Sequence, residues 1–122
     1  MFINISNHPS DFWQMEQLKE AEKFGEIVDY PFPVVSPYLN EEQLSVLADD
    51  TVSKVLETVR HDVKNCVLHI MGEMTLTYML VSRFRKLGFS CIASTTSRQS
   101  EVHQDGTKIS HFVFVRFREY SI

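Results

Sequence analysis

Residues 65–72 read NCVLHIMG, an apolar run of strand length that never alternates with polar residues over its central part. A strand with one wet face alternates, so an unbroken run of this length indicates a central strand covered on both faces by helices. That arrangement belongs to parallel α/β sheets, and the segments on either side agree with it.

MFINIS opens with Phe2, Ile3 and Ile5 and is broken by NHPSD, the chemistry of a turn and a helix start. Between residues 11 and 24, Phe12, Met15, Leu18, Ala21 and Phe24 recur at helical spacing, with Ser10 or Asp11 as cap and Gly25 as terminator. GEIVDY predicts a second short strand. It runs into an extended surface crossover, because Pro31, Pro33 and Pro37 remove amide donors and fix φ. Asn40 with Gln43 three residues on makes a capping-box start for a helix whose apolar stripe, Leu44 to Val59, ends at Arg60.

A third helix is predicted over 75–87, apolar on more than one side through Leu76, Tyr78, Leu80, Val81 and Phe84, which implies deep burial or a subunit contact. FSCIASTT supplies a fourth strand after Gly88. The remainder, SRQSEVHQDGTKISHFVFVRFREY, reads as two strands joined at Gln104-Asp105-Gly106. Three alternations of strand and helix followed by a hairpin predict a single-domain, Rossmann-like three-layer α/β sandwich over residues 1–122. Its sheet is mainly parallel, in the order 2-1-3-4-5, with an antiparallel C-terminal hairpin strand.

A length of 122 residues suits one core. No secretory leader or apolar run of membrane-spanning length is visible, so a cytoplasmic protein without membrane contact is expected. A net charge of −4 argues against a grip on long nucleic acid, which needs many cations, but leaves room for a small anion held by helix N-termini and a few arginines. Cys66 and Cys91 each lie in an apolar run and fit neither a CxxC pair nor a zinc set, so both are expected as reduced core thiols. His61, His103 and His111 lack ligand spacing, and no metal or other cofactor is expected.

Of four glycines, Gly25 and Gly88 end helices and Gly106 serves the hairpin turn. Gly72 is different: it stands at the carboxyl end of the third strand, where open α/β sheets bind ligands, and is either a tight turn or a place where a ligand meets the backbone. Three loops are expected on that edge: Asn7-His8-Pro9-Ser10, Gly72-Glu73-Met74-Thr75, and Ser94-Thr95-Thr96-Ser97-Arg98. Their hydroxyls, helix-start amides and guanidinium suit phosphate oxygens. Each residue also has a purely structural alternative: Ser10 as a cap, Glu73 as a complement to its own helix dipole, His8 as an idle loop residue. His69, inside the apolar strand, reads as a packed core histidine. Arg116 and Arg118 share a face with Phe112 and Phe114 under strict alternation, as a solvated edge or a nucleotide clamp. GxGxxG and GxxxxGK[ST] are absent, which disfavours dinucleotide and Walker-type sites.

FINISNHPS, HIMGEMT, IASTTSR and the terminal FVRFREY together resemble the small CRISPR-associated, CARF-like ring nucleases of type III systems, in order and over nearly the whole chain. The resemblance implies a homodimer that binds cyclic oligoadenylate, most simply the tetra-adenylate, and opens it without metal to linear products ending in 2′,3′-cyclic phosphate, switching off antiviral signalling. It further implies that Asn7, Ser10, Gly72, Thr75, Ser94, Thr95 and Thr96 hold phosphates and sugars. Arg98 would offset charge at phosphorus, and His8 or Glu73 would move the proton, His8 first because imidazole titrates nearer neutrality. A binding module that sequesters the ring, or a dimeric interaction protein with no small ligand, fits the same residues.

Overall fold

The short apolar segments become five strands, β1 (Phe2–Ser6), β2 (Ile27–Pro31), β3 (Val67–Met71), β4 (Ser90–Val102) and β5 (Lys108–Glu119). Three helices connect them: α1 (Met15–Glu22), α2 (Glu41–Thr58) and α3 (Met74–Lys86). The structure, a computed structural model, describes residues 1–122. Its sheet runs β2-β1-β3-β4-β5, parallel through β4 and antiparallel between β4 and β5, which is the expected α/β class and strand order. No helix is long and apolar enough to cross a membrane.

Period-two alternation divides each strand between two layers. Ile3, Ile5, Leu68, Ile70 and Cys91 face α2 and α3 and join Ala48, Val55, Leu76, Leu80 and Phe84 in the larger core. Phe2 and Ile92 face the other way, onto Ala21 of α1 with Trp13 and Phe117. α2 begins as predicted: Asn40 accepts from the Gln43 amide while the Gln43 side chain accepts from the Asn40 amide. Both cysteines are free and buried, and burial pushes the Cys91 thiol up to about 12.

Four expectations change. The first helix is not continuous from Asp11: a 3₁₀ turn at Ser10–Phe12 precedes α1, and Ser10 caps neither because its side chain is turned to Asp29. Phe12 and Met15, the first two apolar positions of the helical pattern, are exposed, leaving Ala21 as the only buried residue of α1. The proline-punctuated crossover is not all surface, since Phe32 is buried in the main core. Residues 94–98 are not a loop: β4 continues through them to Val102, so the fourth strand and the first arm of the hairpin are one element. The hairpin turns at Gln104-Asp105-Gly106, closed by the His103 amide donating to the Thr107 carbonyl, with Gly106 at φ +87°.

β5 breaks its alternation as well. Arg116 pairs with Thr95 but Phe114 pairs with Thr96, so Val115 is an extra residue. The phase shift brings Phe117 onto the side of Phe114, ring centroids 5.0 Å apart. Arg116 and Arg118 therefore do not continue the face of Phe112 and Phe114.

Candidate functional site

Each of three neighbouring parallel strands, the edge strand β2 with β1 and β3, carries a polar residue at its middle position: Asp29 in IVDYP, Asn4 in FINIS and His69 in VLHIM. Parallel pairing sets them side by side, Asn4 opposite both Asp29 and His69. The result is a polar row across the α1 face of the sheet. Ser94 extends it on β4.

Hydrogen bonds link the row from end to end. Asn4 Nδ2 donates to Asp29 Oδ1 at 2.8 Å and to the His8 carbonyl at 2.9 Å. Asn4 Oδ1 accepts from Ser6 Oγ at 2.7 Å and lies 2.9 Å from His69 Nδ1. His69 Nε2 lies 2.6 Å from Ser94 Oγ, which also accepts from Gln17 Nε2 at 3.0 Å. Ser10 donates to Asp29 through its amide at 3.1 Å and its hydroxyl at 2.8 Å.

Proton positions follow from this network. An ionised carboxylate only accepts, so Asp29 fixes the amide of Asn4 with its nitrogen outward and its oxygen toward the imidazole. Nδ1 of His69 must then be the donor, and Nε2 is left as an acceptor for the Ser94 hydroxyl. Burial raises the Asp29 carboxyl, but hydrogen bonds from Asn4 and Ser10 outweigh it and hold the group below the usual carboxylate range. His69 is 2% exposed, and burial, with a smaller contribution from the charge of His8, pushes it down to about 4, so the imidazole is neutral at pH 7. Trp13 closes the row from above: its ring meets His69 edge-on at 5.3 Å and its Nε1 donates to the His8 carbonyl.

The predicted site residues fall into three groups. Asn7, His8 and Ser10 do leave the carboxyl end of β1, and Gly72, Glu73 and Thr75 leave the carboxyl end of β3. The chain departs there toward opposite layers, α1 on one face and α3 on the other, which is the switch point where such sheets bind ligands. Ser94 joins them through the polar row. Thr95 instead satisfies the irregularity of β5: its hydroxyl donates to the Arg116 carbonyl at 3.0 Å and accepts from the Arg116 amide at 3.2 Å. Thr96 and Arg98 lie farther along the hairpin arm, where Arg98 donates to Ser110 Oγ at 3.2 Å.

Two local arrangements alter the expected chemistry of the β3 turn. Glu73 is the N-cap of α3 and accepts from the Thr75 and Leu76 amides at 3.0 and 2.8 Å, so the helix-start donors already hold an anion of their own. Those bonds, with one from the Thr75 hydroxyl, keep its carboxyl below the usual range. Gly72 makes room for protein rather than ligand: the Phe32 ring occupies the space a side chain would need.

His69 was legible only as a core residue, and Asn4 and Asp29 carried no signal read singly. The signal that identifies them is joint, a polar residue at the third position of three five-residue apolar strands that pair in parallel. A cavity of about 160 Å³ opens beside the row, lined by Asn4, Ser6, Asn7, Asp29 and Phe32 among others. A larger groove, about 820 Å³, runs along α3 past Met74, Tyr78 and Val81 to Arg85, with Tyr120 opposite.

A family model described as the uncharacterized protein MJ1673 family matches residues 1–118. No curated protein and no solved structure matches the chain.

Proposed function

We propose that this chain, which belongs to the MJ1673 family, binds a cyclic oligoadenylate at the carboxyl edge of its sheet and opens it without metal, as a ring nuclease. The supporting observation is the polar row, which brings a half-buried serine hydroxyl, a neutral imidazole and an ionised carboxylate into one hydrogen-bonded line at the switch point. Such a line suits proton transfer from a bound hydroxyl. The ribose 2′-OH is the nucleophile in this reading, and the protein aligns it with the adjacent phosphorus.

A net charge of −4 favours a ligand carrying few phosphates over a long polyanion. Asn7 and Ser10 stand at the edge to meet sugars and phosphates. Glu73 keeps its capping role, because releasing it for proton transfer would strip two amides of α3. Exposed Phe12 and Met74, each 84% accessible at a helix start on this edge, offer apolar surface for adenine rings or for a second copy facing the first. A homodimer with facing carboxyl edges would match the symmetry of the ring, and the arm carrying Arg98 would reach over it.

One observation favours a second reading. The groove along α3, with Tyr78 75% exposed, is large enough to seat a protein partner, as in an interaction protein without a nucleotide. Calorimetry with cyclic tri-, tetra- and hexa-adenylate separates the two. Heat from one ring supports the nucleotide reading, and turnover of that ring in EDTA distinguishes cleavage from sequestration. Silence from all three rings removes both nucleotide readings.

A further inference from the structure

Ser6 and Ser10 direct their hydroxyl protons to oxygen acceptors, Asn4 and the Asp29 carboxylate. Ser94 is different, because its hydroxyl proton points at a nitrogen base. A distance of 2.6 Å is short for this pair, and the donor must be the serine, since the orientation of Asn4 leaves His69 Nε2 without a proton. Of the two lone pairs on Ser94 Oγ, one accepts from Gln17 Nε2 and the other has no partner. His69 is too deeply buried to touch a ligand, whereas Ser94 is only partly covered and lies at the carboxyl end of β3, its amide donating to the Met71 sulfur.

We propose that Ser94 is a catalytic residue of the ring-opening reaction, accepting the proton of the attacking ribose 2′-hydroxyl while its own proton passes to His69, with Asn4 and Asp29 as positioning residues behind the imidazole. The assignment rests on the cyclic oligoadenylate reading and names the proton path within that site. A bond forms between the 2′-oxygen and the neighbouring phosphorus, and the bond from phosphorus to the 5′-oxygen of the next nucleoside breaks. The 5′-oxygen takes a proton from water, and the hydroxide so formed takes a proton from Ser94, which recovers its own from the buried His69. No other reagent is consumed.

Positive charge developing on His69 sits among Phe2, Trp13 and Phe117. The titratable groups near it are Asp29 on β2, reached through Asn4, and His8 after β1; α1 contributes neutral Gln17, β4 neutral Ser94 and β5 the Phe117 ring. Asp29 is therefore the one group in the row that stabilises an imidazolium. Its effect is electrostatic and orienting, since Asn4 stands between the two and carries no titratable proton.

The experiment compares wild type, Ser94→Ala, His69→Gln and Asp29→Asn with labelled cyclic tetra-adenylate in EDTA, measuring kcat, ring affinity by calorimetry and the pH dependence of kcat. Ser94→Ala and His69→Gln should lose about 10²–10⁴-fold in kcat with ring affinity within about threefold of wild type. Asp29→Asn should lose less and displace the acid limb of the pH profile, which loss of packing alone would not do. Nitrogen-15 spectra of the imidazoles in wild type supply a readout without turnover: His69 should show a protonated Nδ1 and an unprotonated Nε2 at pH 7. If His69→Gln fails to fold, Ser94→Ala, which keeps the imidazole, carries the comparison. Ser94→Ala at the wild-type rate, or the opposite His69 tautomer, overturns the proton path while leaving the ring nuclease reading in place; a wild-type protein that leaves every ring intact overturns that reading and the path with it.

Discussion

The Phe32 ring lies where a side chain at Gly72 would have to be: a Cβ built on Gly72 comes within 2.5 Å of three ring carbons. Phe32 descends from the crossover after β2, held by its amide donating to the Ser6 carbonyl at 3.2 Å, and closes the main core at the carboxyl edge. Glycine is required at this position by a neighbour 40 residues away in the chain.

Gly72→Ala should therefore destabilise the fold by about 1–3 kcal/mol through overpacking. Phe32→Ala should cost about 3–5 kcal/mol by leaving a cavity. The two contacts are one, so the alanine at 72 should cost less in the Phe32→Ala background, a coupling that a double-mutant cycle in urea measures directly. Additive losses would show that Gly72 serves something other than Phe32.

Acid should weaken the protein through His69. An unfolded chain protonates this imidazole near pH 6.5 while the folded one resists to about 4, so between those values the unfolded state binds more protons. The folded value is the lower one, so the stabilisation is complete above pH 6.5 and fades as pH falls toward 4. At 1.36 kcal/mol per unit the window is worth about 3 kcal/mol. Asp29 adds a loss of the same sign at lower pH, because a carboxyl held below its unfolded value of 3.8 keeps its full contribution above that pH and loses it only on protonation beneath it. Urea midpoints at pH 7.5, 5.5 and 4.5 should fall in that order, and the fall should be shallower in His69→Asn.

Glu73→Ala should behave as a lost helix cap. Removing the acceptor of the Thr75 and Leu76 amides should cost about 1 kcal/mol in urea midpoint stability. Ring cleavage should survive within a few-fold. A loss as large as that of Ser94→Ala would return Glu73 to the proton-transfer role that its place in the sequence suggested.

Trp13 should report binding. It is the only tryptophan, packs edge-on against His69 and donates to the carbonyl of His8 on the loop that borders the site. A ring seated at this edge disturbs that loop, so emission should change saturably with cyclic tetra-adenylate. The same titration with Trp13→Phe gives the blank.

Much of the architecture was legible because its signals are local. The unbroken apolar run around His69, the Asn40 and Gln43 capping box and the Asp105-Gly106 turn each specify backbone geometry within a few residues, and with the alternation of elements they imply the strand order. The site was less legible because it is made across strands. Asn4, Asp29 and His69 are separated by 25 and 40 residues, and only register makes them neighbours. The outer half of β4 is hidden for a related reason: Ser94 to Arg98 has loop-like composition, but pairing with β5 keeps it extended. Phe12 and Met15 follow helical spacing yet stay exposed, since periodicity identifies a face without showing what covers it.

The most direct measurement is the fate of labelled cyclic tetra-adenylate incubated in EDTA with about one hundredth its amount of protein, the products separated by chromatography. Linear adenylates ending in 2′,3′-cyclic phosphate, formed over many turnovers by wild type and far more slowly by Ser94→Ala, are expected. An intact ring after prolonged incubation with folded wild-type protein would contradict the proposed activity of the carboxyl edge.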